Sequence, residues 1–120
     1  MIHAADNRQD GSAGLASERF RLARLARGAA LGVPGALGTD VGPAGLFITE
    51  SGGERLEGVM CVATKSGGYD VSLRLVCALV PLLPLGERVR TAVESGAARA
   101  GIGLDSVSVH VAAVSGIEVP

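Results

Sequence analysis

The 120-residue sequence has no tryptophan, and Phe20, Phe47 and Tyr69 carry its only phenyl or phenol rings. A core must then be built from Val, Leu, Ile and Ala, and the paired strand aromatics that stack nucleic-acid bases are missing. Cysteine is equally scarce. Cys61 and Cys77 lie in apolar, strand-like runs, with no C-x-x-C pair and no Cys/His cluster. That excludes a structural zinc site and reads as two buried, reduced thiols rather than a disulfide. Neither sign of charge dominates. Eleven basic and 12 acidic side chains give −1, so no global field draws the chain to nucleic acid or anionic lipid. The longest apolar run, residues 75–85, is too short to span a bilayer and is interrupted by Pro81 and Pro84. The first fourteen residues hold no apolar run of the kind a secretory signal needs, so a cytoplasmic protein is expected.

What is present is enough for one core. The hydrophobic share of 48% rules out wholesale disorder, and the length suits a single domain. Residues 1–14 read as a disordered leader, residues 15–114 as one domain and residues 115–120 as a tail. Leu15, Leu22, Leu25, Ala26, Ala29 and Val33 fall on one arc of a helical wheel, with Arg19, Arg21, Arg24 and Arg27 around the rest. Ser17 is a candidate N-cap, and Pro34-Gly35 ends the helix. Strands are expected over 46–50, 56–65 and 69–79, separated by the turns Ser51-Gly52-Gly53 and Ser66-Gly67-Gly68. The third is the clearest. Tyr69, Val71, Leu73, Leu75, Cys77 and Leu79 share one parity, and Asp70, Ser72 and Arg74 the other, as in a sheet covered on one side.

Pro81 and Pro84 then introduce a second helix, with Leu85, Val89, Ala92, Val93, Gly96, Ala97 and Ala100 on its buried stripe and Gly101 or Gly103 at its end. In the last strand Val107, Val109 and Val111 point inward, and Ser108 and His110 outward. The order α-β-β-β-α-β predicts an α+β fold, a small mixed sheet of about four strands with two helices packed mainly on one face. The strand-helix-strand passage favours parallel, right-handed placement of two adjacent, central strands.

Catalytic signals are weak. His110 shares a strand face with Ser108, but no acid is placed beside them, and it reads as a surface histidine. The glycines form no phosphate-binding loop, and Gly101-Ile102-Gly103 follows a helix, the wrong context for a dinucleotide fingerprint. Glu54 and Glu57 read as a solvated hairpin edge. The arginine helix is the main local feature. Residues 1–27 carry five Arg against Asp6, Asp10 and Glu18, leaving the rest of the chain net acidic. Arg19, Phe20, Arg24 and Arg27 form the candidate partner-binding face, since Arg and aromatic side chains dominate contact hot spots; a solvated Arg face is the plainer alternative.

From the third strand onward the pattern is familiar. Val71-Ser72-Leu73-Arg74-Leu75-Val76-Cys77 is followed by a proline-marked break, a helix with Val89 and Val93, and the ending Gly103-Leu104-Asp105-Ser106-Val107-Ser108-Val109-His110-Val111. With the helix close at Ala29-Ala30-Leu31-Gly32-Val33-Pro34-Gly35, this resembles the alkaline shock protein family, the envelope or general stress proteins of bacteria. Ala36 stands where that family usually has Val, and Ser108 where Asn is common. The resemblance covers roughly residues 15–114. It implies a non-enzymatic, cytoplasmic protein that self-associates and gathers near the membrane through a membrane-embedded envelope partner. It carries over no catalytic, cofactor-binding or metal-ligating residue and implies no small-molecule substrate. The alternative is a small nucleic-acid-binding module using the Arg-rich helix. The acidic total and the missing base-stacking aromatics disfavour it.

Overall fold

A computed structural model describes residues 18–115. The expected leader, Leu15, the Ser17 cap and residues 116–120 of the expected tail lie outside the described residues. Residues 18–31 are helical (α1). Then come β1 (Ala36–Thr39), a 3-10 turn (Pro43–Gly45), β2 (Ile48–Ser51), β3 (Glu54–Glu57), β4 (Val59–Ala63), β5 (Tyr69–Cys77), α2 (Leu82–Ala100) and β6 (Leu104–Val114). The fold is α+β, with more and shorter strands than the sequence pattern suggested.

β5 is the centre of the sheet, and its strict alternation is the reason. Val71, Leu73, Leu75 and Cys77 are fully buried on one face, while Ser72, Arg74 and Val76 are half-exposed on the other. β4 pairs with its first half and β1 with its last three residues, both antiparallel and on the same side. β6 runs along the other side, parallel, over the whole length of β5. The structure departs from two expectations at this sheet. β6 is adjacent to β5 as expected, but among the described residues it is an edge strand, not a central one. The expected strand over 56–65 is two strands broken at Gly58, where φ is 85°. β3 turns away there to form a two-stranded hairpin with β2, closed by Gly52 and Gly53 with φ of 57° and 85°. Positive φ at both central residues matches the twist a two-residue hairpin requires.

Both helices share one core with the buried face of β5, built around Leu22, Ala26, Leu73, Leu75, Val89 and Val93. α2 begins at Leu82, earlier than Pro84 suggested, because proline is tolerated in a first turn whose N–H groups have no helical partner. It ends at Gly101 in the left-handed conformation, with the Ile102 N–H donating to Ala97 O at 2.9 Å. α1 is rotated from the expected stripe. Ala23 and Ala30 are buried with Leu22 and Ala26, whereas Leu25 and Ala29 are half-buried. The cause is the hairpin, which occupies the flank of α1 bearing Arg24 and Arg27.

Candidate functional site

The helix arginines are divided among different tasks. Arg24 donates from Nη2 to the Glu54 carboxylate on β3 at 3.0 Å and lies 5.0 Å over the Phe20 ring. Arg27 is half-buried. Its Nε donates to Glu57 O at 3.0 Å and its Nη2 to Thr39 Oγ1 at 3.3 Å. Arg19 is exposed. Phe20, expected on the polar side, is only 7% exposed. The structure therefore does not bring Arg19, Phe20, Arg24 and Arg27 to one free face. Two of the arginines fasten the hairpin and β1 to α1. Exposed ion pairs of the Arg24–Glu54 kind contribute about 0–1 kcal/mol each, so they orient more than they stabilise.

On the face of the sheet opposite the helices, residues 40–47 lie across β5 and β6. Arg74 Nε donates to Asp40 Oδ2 at 2.9 Å, and the same oxygen accepts the Gly42 N–H at 2.9 Å. The Arg74 bond first, and the Gly42 bond behind it, hold the Asp40 carboxyl below its ordinary range. The Arg74 guanidinium stands 5.9 Å over the Phe47 ring, and the His110 ring meets Phe47 edge-on at 5.2 Å. His110 thus packs on an aromatic ring beside an exposed Ser108. At one end of the sheet, the Ser66 and Thr64 hydroxyls donate to Asp105 and hold its carboxyl low, while Ser106 donates to Asp70 at 2.7 Å. These bonds tie the β4–β5 turn to the start of β6. Among the described residues no three His, Cys, Asp or Glu side chains are grouped as a metal site. Both cysteines are buried and free, and desolvation pushes the Cys61 thiol up to about 12.

The remaining feature is the outer side of β6. Among the described residues no strand pairs with that edge. Beside it runs a groove of about 560 Å³, walled by Leu82, Leu83 and Gly86 of α2 and by Val107, Val109 and Val111 of β6, with Glu87 and Arg90 at its rim. Leu83 is 87% exposed, and Val111 and Val114 are exposed to 39% and 43%. An apolar strip next to an unpaired strand edge is the kind of surface that soluble domains usually cover. The sequence reading missed it because it placed β6 centrally and Leu82-Leu83 outside the helix. The available signal was Leu83 itself, off the buried stripe of α2.

No helix of the described residues is long and apolar enough to cross a membrane. Comparison with protein-family models, curated proteins and solved structures returned no match.

Proposed function

We propose that this protein acts by binding rather than by catalysis, as a bacterial envelope- or general-stress protein of the alkaline shock type. It self-associates in the cytoplasm and reaches the membrane surface through an envelope partner protein. The observation that carries the reading is the open β6 edge with its apolar groove, a surface built for protein contact. The resemblance of residues 15–114 to that stress family supports the same reading. The nucleic-acid alternative loses support, because Arg24 and Arg27, the cations it needs, already hold Glu54 and the Glu57 carbonyl. The test has two parts. Sedimentation velocity of the full chain across a concentration series is expected to show association beyond the monomer. Flotation with envelope membranes is expected to carry the protein along, and protease treatment of those membranes to abolish it. A chain that stays monomeric at high concentration and ignores membranes refutes the proposal.

A further inference from the structure

We infer that the occupant of the open edge is a second copy of this chain, its β6 antiparallel to the first about a two-fold axis at Val109. The inference rests on the self-association reading above and adds its geometry.

The backbone sets which groups face outward. The Arg74 N–H donates to Gly58 O, and Arg74 O accepts the Asp40 N–H, so even-numbered β5 residues bond toward β4 and β1. The odd-numbered ones bond β6, as the Tyr69 N–H to Gly103 O and the Ser115 N–H to Cys77 O show at the two ends. In a parallel ladder each such residue bonds the two residues flanking its partner. Val71, Leu73 and Leu75 are partnered with Val107, Val109 and Val111, so their bonds go to Ser106, Ser108, His110 and Ala112. The N–H and C=O groups of Val107, Val109 and Val111 therefore point away from the sheet. The side chains of the same three valines line the groove. One stretch thus offers both the hydrogen-bonding edge and the apolar surface.

That stretch is complementary to itself. With the axis at Val109, antiparallel pairing sets Val109 against Val109 and Val107 against Val111 of the other copy. These are β-branched cross-strand pairs of a favourable kind. Ser108 and His110 then face each other on the opposite surface. β6 carries no Pro, Lys or Arg, the residues that block edge pairing, and its one charge is Asp105. Register shifts at each end of the Ser106–Val111 stretch confine regular pairing to its middle. Two copies of α2 would run antiparallel on either side of the junction. Gly86, on the groove wall with no atom within 4 Å of its Cβ position, allows close approach. Glu87 and Arg90, now paired with each other, come within reach of Arg90 and Glu87 of the second copy. The strip is roughly 25 Å long and about 20 Å high, from strand and helix dimensions, so each copy covers about 500 Å². That is below the roughly 800 Å² of a standard interface, which suits a dimer that dissociates on dilution.

The test uses the full chain. Val109→Cys is expected to oxidise to a disulfide-linked dimer, because directly opposed residues of a hydrogen-bonded pair lie about 5.5 Å apart between Cα atoms, within disulfide range. Val107→Cys is expected to give none, since its copies would stand about 13 Å apart. Leu83→Glu, at an exposed position that leaves folding untouched, is expected to weaken dimerisation at least tenfold in sedimentation. Cross-linking equally efficient at both cysteines, or association unchanged by Leu83→Glu, overturns the two-fold geometry while leaving self-association standing. A wild-type chain that stays monomeric to several hundred micromolar removes both. An apolar extended peptide that binds the monomer at this edge, with no dimer formed, overturns the choice of a second copy.

Discussion

Gly58 offers the most direct test of how the hairpin is joined to the sheet. It is buried, its N–H donates to Phe47 O at 2.7 Å, and its carbonyl accepts the Arg74 N–H at 2.9 Å. Its φ is 85°, and a Cβ added there would lie 2.2 Å from the Thr39 Cβ. Gly53, in the hairpin turn, has the same φ of 85° but no atom within 4 Å of a Cβ. The two positions separate backbone strain from overlap. Ala at positive φ costs about 1–2 kcal/mol. Overpacking adds about 1–3 kcal/mol, and the upper end applies because the Thr39 Cβ is fixed to the backbone. Gly53→Ala should therefore lose about 1–2 kcal/mol and Gly58→Ala about 3–5 kcal/mol. In a domain of this size the melting temperatures should fall by about 4–8 °C and about 12–20 °C. Thermal and urea unfolding followed by circular dichroism measure both. Thr39→Gly in the Gly58→Ala background should restore part of the loss, whereas Thr39→Ala, which keeps the Cβ, should not. Equal losses in Gly53→Ala and Gly58→Ala would show that the approach to Thr39 is not made.

The other predictions concern the core and its titrating groups. Leu73→Ala, at a fully buried position, should cost about 2–5 kcal/mol in urea unfolding, and Ser72→Ala, on the opposite face, under about 0.5 kcal/mol. Cys61, with its thiol raised to about 12, should react with a thiol reagent at pH 8 far more slowly in the native protein than in denaturant. The same shift favours the protonated thiol in the native state. Its contribution is present below about pH 8.5, the ordinary cysteine value, and is lost as pH rises toward about 12, so urea midpoints should decline through that window. Asp40 and Asp105 are held low by their donors, so their contribution is present above their ordinary value, near pH 3.9, and is lost as pH falls below it. Replacing both by Asn should flatten the acid limb of the stability profile.

The sequence was most legible where period and neighbourhood agree. β5 alternates without a break, so its wet and dry faces and the core partners Val89 and Val93 could be read directly. The break at Gly58 left a fainter mark. Leu56 lies on one parity and Val59 and Cys61 on the other, the slip of one residue that accompanies a kink. Strand β1, Ala-Leu-Gly-Thr, has little strand propensity of its own and forms because β5 provides its ladder. The position of β6 at the edge has no local signature at all. Alternating valines suit any strand with one covered face, central or not. The arginines show the same limit from the side of the candidate site. Their spacing marks a cationic helix face, but nothing near them in sequence says that Glu54 and the Glu57 carbonyl, about thirty residues on, will meet Arg24 and Arg27.

The two sides of the sheet are treated differently, and the difference bears on function. On the β4 side the hairpin closes in. The Thr49 hydroxyl donates to Val59 O at 2.9 Å, the Phe47 carbonyl takes the Gly58 N–H, and Arg27 reaches Thr39 at the end of β1. The hairpin and Arg27 stand against the start of β4, at Glu57 to Val59, where they occupy the approach to that end of the edge. On the β6 side there is no comparable cover among the described residues, and the valines that would be costly to leave in water are the ones whose backbone groups also face outward. A chain that merely tolerated an open edge would be expected to carry a lysine, a proline or an inward charge along it. β6 has small and β-branched residues there instead. The contrast shifts the weight of function from the arginine helix, where Arg24 and Arg27 are occupied in holding the hairpin and β1, to the strand at the opposite edge.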